Sequence, residues 1–203
     1  MERRRFDIGI AGGGAVGLSA GIALARAGWS VVLAGPAWAR SDGRRSAVRA
    51  GTLKFLATVG LRERIEAEAS PLETMTIVDD TGAILRAPPV SFHARELGLD
   101  AFGRNVENAT LVGMIAEAAA ATPGLTLIPE LVSATTADPG GASMTLAGGE
   151  TVAVDLVIGA DGRDSPVREQ AGIRSRGWSY PQAAITAIFA HDRPHRDTST
   201  EFH

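Results

Sequence analysis

The chain has 203 residues, 45% of them apolar and 21% charged, with a net charge of −3, which is the profile of a globular protein long enough to bury a core and not of a disordered or fibrous one. The slight negative charge argues against a nucleic-acid partner, and no apolar run nears the roughly 20 residues of a membrane-crossing helix, because Arg26, Arg40, Arg44 and Arg45 interrupt the first third. There is no cysteine, so no disulfide frame, thiolate nucleophile or cysteine metal site is expected, in keeping with a reducing cytoplasm.

The run after "MERRR" is too short and too broken by glycine for a signal peptide, and Phe6–Ala11 is expected to be a first strand. From Ala15 to Ala27, leucine, isoleucine and alanine recur at helical spacing until Gly28 supplies a stop, and "WSVVLAG" follows as a second buried strand. Strand, glycine turn, helix and strand make a βαβ unit, whose right-handed crossover implies a parallel sheet. After an arginine-bearing loop over 40–45, "SAVRAGTLKFLATVG" is expected to be helical, with Val48, Leu53, Phe55 and Leu56 as its apolar contacts and Gly60 as its end. "TMTIVDDTGAILRA" has the pattern of a hairpin around Asp-Thr-Gly. The alanine-rich stretch from Glu107 to Ala121 is a further helix stopped by Pro123-Gly124. Several short strands follow, with turns at Pro139-Gly140-Gly141 and Gly148-Gly149, and "AAITAIFAHDR" resembles one more strand before a polar end. Trp29, Trp38 and Trp178 are expected to be packing residues. The absence of a Pro- or Gly-rich linker favours one domain inserted into another over a tandem pair.

Gly12, Gly14 and Gly17 fit G-x-G-x-x-G, placed between a strand and a helix as a dinucleotide fold requires. The first glycine allows the turn, the second lets a pyrophosphate approach the main chain, and the third lets the helix pack closely. The helix start offers N–H groups and partial positive charge to the phosphates. The acidic residue that usually ends the second strand and binds the adenosine ribose is missing: that point reads Ala34-Gly35-Pro36, with no acidic residue between Asp7 and Asp42. The nearby Arg40, Arg44 and Arg45 raise NADP as an alternative to a flavin nucleotide.

The second motif decides in favour of the flavin. "DLVIGADGRDSPVREQAG" is a buried strand ending in Asp161-Gly162, followed by a helix that Ser165 can cap and Pro166 can start. Together with the early glycine turn, Asp161, Gly162, Ser165 and Arg168 resemble the FAD-dependent aromatic hydroxylases, the class A flavoprotein monooxygenases. Within them, "SDGRRSAVRAGTLKFLATVGL", "FGRNVENATLVGMIAEAAA" and "RPHRDTSTEFH" are similar to the ubiquinone-biosynthesis hydroxylase branch. The resemblance implies an α/β, Rossmann-like FAD-binding domain with a parallel sheet and a β-meander, over 1–72 and 101–177. The beginning of an inserted antiparallel-sheet substrate domain would occupy 73–100 and 178–203. It implies FAD contacts from Gly12, Gly13, Gly14, Ala15, Gly17, Arg44, Val132, Asp161 and Gly162, with Arg44 against the flavin and Val132 near the adenine. The family's later Gly-Asp-Ala motif has no counterpart here, so the chain is expected to be an amino-terminal portion that by itself holds FAD poorly and does not hydroxylate.

By the same resemblance the cofactor is FAD, NAD(P)H is the co-substrate, and O2 and a small aromatic ring, polyprenylated in the ubiquinone branch, are the reactants. Association with the inner face of a membrane or with a ubiquinone-biosynthesis complex goes with such a substrate. No residue stands out as an obligatory acid or base. The four histidines are too scattered for a metal site, and Asp161 and Asp164 suit cofactor binding and capping better than acid–base work. The competing readings are another flavin oxidoreductase, and a truncated, non-catalytic nucleotide-binding fragment.

Overall fold

The computed structural model describes residues 5–36 and 43–203. Arg40 and Trp38, named above, lie outside them. In chain order the elements are β1 (Arg5–Ala11), α1 (Ala15–Arg26), β2 (Val31–Ala34), β3 (Arg45–Arg49), α2 (Ala50–Thr58), α3 (Arg62–Glu68), β4 (Ser70–Leu72), β5 (Thr74–Val78), β6 (Val90–His93), β7 (Gly103–Glu107), α4 (Asn108–Ala120), β8 (Leu125–Ile128), β9 (Val132–Asp138), β10 (Gly141–Leu146), β11 (Thr151–Gly159), α5 (Pro166–Gln170) and β12 (Thr198–Phe202). The described residues fall into two units, one of 5–36 and 111–184, the other of 43–110 and 185–203.

The first unit is built on a six-stranded sheet in the order β8-β2-β1-β11-β10-β9. β8, β2, β1 and β11 run parallel, and β10 and β9 follow antiparallel as a meander. All four β2 residues are buried, as expected for a central strand covered on both faces. Ala11, Val32, Ala34, Met144, Leu146, Val152 and Val154 form the core on one face. On the other, α1 lies so close that a Cβ at Gly21 would meet Leu125 at 3.1 Å and Ile10 at 3.6 Å. At the outer ends of β1 and β2, the Asp7 carboxylate accepts the Ser30 N–H (2.7 Å) and hydroxyl (2.6 Å), and Ser30 Oγ accepts the Asp7 N–H (2.9 Å).

The second unit carries two three-stranded sheets, β3-β7-β4 and β12-β5-β6. Three expectations change here. Residues 45–49 are a strand and not the start of a helix, because they pair antiparallel with β7 from Arg45↔Glu107 to Arg49↔Gly103, and Val48 is buried by that placement. The helix begins only at Ala50 and ends before Gly60, whose φ is +77°. The partner of β5 is Val90–His93 and not the segment after Asp-Thr-Gly. The Asp79 carboxylate gathers the connection instead, accepting from the Thr81 N–H (3.2 Å) and hydroxyl (2.7 Å) and from the Ala87 N–H (2.9 Å). Ile84 and Leu85 are left in solvent. β12 joins β5 in parallel, so this sheet is mixed.

Residues 183–193 are irregular, with Ile185 96% and Phe189 79% exposed, because no described strand offers this segment a hydrogen-bonding partner. Trp29 and Trp178 are likewise exposed and not packing residues, and Trp178 meets Tyr180 edge-on, with ring centroids 6.3 Å apart. Helix α3 was not foreseen, although its signal is present: Leu61 and Ile65 are fully buried at i,i+4 spacing, and Arg62 pairs with Glu66 at 2.9 Å.

Leu33→Ala removes a fully buried side chain from the central strand. It is expected to destabilise the chain by about 2–5 kcal/mol, read from the urea midpoint. The Ser30 hydrogen bonds, those to the side chain foremost, hold the Asp7 carboxyl below its ordinary value of 3.8. Its contribution is therefore present above that pH and lost as pH falls through the lowered value. The difference in urea midpoint between wild type and Ser30→Ala should accordingly be constant near neutrality and shrink under strong acid.

Candidate functional site

Three strand ends and one helix start converge without side chains between them. Gly12 leaves β1 at φ +120°, and a Cβ there would lie 2.2 Å from the Ala160 carbonyl oxygen at the end of β11. A Cβ at Gly17 would lie 2.0 Å from the Gly12 carbonyl oxygen. The convergence is tied by backbone bonds from Gly12 N–H to Ala34 O (2.7 Å) and from Ala160 N–H to Ala11 O (2.7 Å). The first and third glycines of the motif are thus required by the protein's own backbone.

Gly14 differs. It caps α1 at φ −78°, a conformation open to any residue, and a Cβ there would meet nothing within 4 Å. Ala15 opens the helix, no side chain caps its first N–H groups, and its first turn holds no acidic residue. Glycine at 14 is therefore explained neither by strain nor by the protein's own packing.

Gly14 lines a cleft of about 670 Å3, a size typical of small-molecule sites. Its floor is Ala11 and the Gly12–Gly14 turn; its walls are the Ala34–Pro36 strand end, Leu131 and Val132 at the start of β9, and Ala160–Gly162 with Pro166. No lysine or arginine is among the lining residues, so an anion there would be held by main-chain amides and the helix dipole.

Asp161 organises one wall. Its Oδ1 accepts the Ser165 hydroxyl, its Oδ2 accepts the Val167 N–H at 3.1 Å, and Ser165 Oγ in turn accepts the Arg168 N–H at 3.0 Å. Ser165 is the N-cap of α5 and Pro166 its first residue, as expected from the sequence. Both carboxylate oxygens are thus engaged in the turn, and Gly162 at φ +95° lets the chain reverse there.

The fold brings Gly12, Gly13, Gly14, Val132, Asp161 and Gly162 around one cleft, with Ala15 and Gly17 on the helix that starts at it. Arg44 lies in the other unit, exposed ahead of β3, where its carbonyl accepts the Asn108 N–H at 3.0 Å. The reason for Gly35 is not legible in the sequence. A Cβ there would lie 2.3 Å from Gly13 N, so the position usually given to a carboxylate is closed here by contact between two main chains. The triplet Ala34-Gly35-Pro36 marks only the place.

A family model described as FAD binding domain matches residues 5–202. The chain belongs to that family. This FAD binding domain is 36% identical over 202 residues to the ubiquinone hydroxylase UbiL of Rhodospirillum rubrum, covering 96% of this chain and 46% of the relative. It is 32% identical over 194 residues to the 3-demethoxyubiquinol 3-hydroxylase of Escherichia coli, covering 91% of this chain and 48% of the relative. The chain therefore spans about half the length of the curated relatives it matches. Among solved structures, the flavin-dependent monooxygenase PieE, in complex with FAD and substrate, superposes with a TM-score of 0.70 at 23% identity, over 83% of this chain and 32% of that one, which establishes the shared fold.

Two substitutions separate the roles of the glycines. Gly14→Leu is expected to change stability by no more than about 1 kcal/mol, since only a cap preference is affected, yet to abolish any FAD-induced rise in melting temperature. Gly12→Ala should instead lower the melting temperature of the unliganded chain.

Proposed function

We propose that this chain is the FAD-binding half of an NAD(P)H- and O2-using monooxygenase that hydroxylates an electron-rich aromatic ring, with a polyprenylated precursor of ubiquinone as the substrate class. The observation that carries the reading is the empty space off Gly14, beside amides that no side chain caps, at the floor of a cleft of cofactor size. The two hydroxylases matched over more than nine-tenths of this chain supply the reaction class.

In this reading the amides of the Gly12–Gly14 turn and of Ala15 grip the diphosphate, and the α1 dipole favours its charge. Gly17 lets the helix reach the turn. Val132 stands beside the adenosine end, and Asp161 holds the Gly162 turn in shape through Ser165 and Val167. Arg44 serves the flavin end. When bound, FAD supplies the redox and oxygen-activating chemistry, and the protein supplies grip, orientation and exclusion of water. Residues 1–72 and 101–177 act as the cofactor domain, and 73–100 and 178–203 as part of the substrate domain. No helix among the described residues is long and apolar enough to cross a membrane. Contact with a membrane-dissolved substrate, peripheral and from the cytoplasmic side, belongs to the same proposal.

Titration of the chain with FAD tests the reading. Flavin fluorescence should change saturably, with the weak affinity expected of this portion by itself, ADP should compete, and riboflavin should not, because the grip is on the diphosphate and adenosine half. Absence of a saturable change, or competition by riboflavin alone, would overturn it.

A further inference from the structure

Among the described residues, strand β9 is the last of its sheet and has a neighbour only on the β10 side, so its outer main-chain groups would ordinarily face water. Two of them do not. Gln170, at the end of α5, accepts the Thr135 N–H at 2.6 Å and the Thr135 hydroxyl at 2.9 Å through Oε1, and donates from Nε2 to the Ser133 carbonyl at 3.2 Å. A single carboxamide that takes the N–H of one residue and gives to the C=O two residues earlier repeats the bonding of a residue in a parallel neighbouring strand. Among side chains of this length only glutamine carries both the acceptor and the donor at neutral pH. Ser133 is held from the inner side as well, its hydroxyl donating to Thr145 O (3.0 Å) and Leu146 O (3.2 Å).

The two elements joined in this way are the two that form one side of the cleft. β9 begins at Val132, a wall residue, and α5 begins at Pro166, another, directly after the Asp161–Gly162 turn. Packing gives α5 one apolar anchor, the half-buried Val167 against the sheet core; none of its five residues is fully buried, and so short a helix does not hold itself. We infer that Gln170 is a positioning residue, the clasp that sets the distance between the Val132 wall and the Asp161 turn and so tunes nucleotide affinity, while also closing the sheet edge to strand addition. The inference rests on the nucleotide reading of the cleft given above.

The test uses the 203-residue chain and the variants Gln170→Leu and Gln170→Glu, with FAD as the probe. In Gln170→Leu the Thr135 amide should exchange its hydrogen about fivefold faster or more, and the Kd for FAD should rise about five- to tenfold, with the melting temperature of the unliganded chain little changed. Gln170→Glu should match the leucine variant at pH 7. Relative to wild type it should regain affinity as pH is lowered towards the usual glutamate value of about 4.3, because a neutral carboxyl can again donate to Ser133 O while accepting from Thr135. Unchanged exchange at Thr135 in Gln170→Leu would overturn the clasp. Faster exchange with unchanged FAD affinity would overturn the positioning role. Wild type that binds no FAD would overturn the nucleotide reading itself, and the positioning role with it.

Discussion

Contact of main chain with main chain, with no side chain between, is the constraint on which the first unit depends. At one point the end of β1 touches the end of β11, the end of β2 touches the glycine turn, and the first turn of α1 touches the carbonyl of Gly12. Each approach excludes even a methyl group, at Gly12, Gly35 and Gly17 respectively. Protein interiors are packed densely enough that such contacts leave nowhere for an added atom to go. The consequence is a rigid floor whose amides are placed by backbone hydrogen bonds of 2.7 Å and not by flexible side chains. Gly14 stands at the rim of that floor and is the one motif glycine whose missing side chain leaves space for something other than the protein.

The cleft built on this floor is chemically plain. It is lined by glycine, alanine, proline and aliphatic side chains, with Asp161 as its single charged residue, and that carboxylate is engaged with Ser165 and the Val167 amide. A site of this kind offers no titratable side chain beyond Asp161 among the described residues. It binds by shape and by oriented peptide dipoles, which suits a diphosphate whose redox chemistry lies elsewhere in the cofactor. The walls are set by devices that use hydrogen bonding where apolar burial is scarce: a capping network at Asp161 and Ser165, and the carboxamide of Gln170 on the open edge of β9.

The second unit follows a different logic. Its strands pair across long loops, and their exposed faces carry Met75, Ile77, Val90 and Phe92. Periodicity located β5 and the helix over 50–58, but hydrophobic pattern alone does not distinguish a strand from a helical turn over five residues such as 45–49. That choice was made by β7, which lies more than fifty residues further along the chain and fixes the extended form through the Arg45–Arg49 ladder. Residues 183–193 carry a strand-like pattern and form no strand, because pattern records what a segment can do and pairing requires a partner.

What the sequence determined by itself was whatever is written in adjacent residues: the βαβ unit, the glycine turn between its first strand and helix, and the Ser165-Pro166 start of α5. With them came enough of two motifs to reveal a resemblance to flavin-dependent hydroxylases. Such features arise from steric and hydrogen-bonding preferences acting over a few residues, so they can be read before folding is considered. Tertiary structure alone decided that Gly35 closes against Gly13 and that Gln170 completes the edge of β9. These facts depend on distances between segments remote in the chain, and only the assembled sheet brings those segments within hydrogen-bonding range.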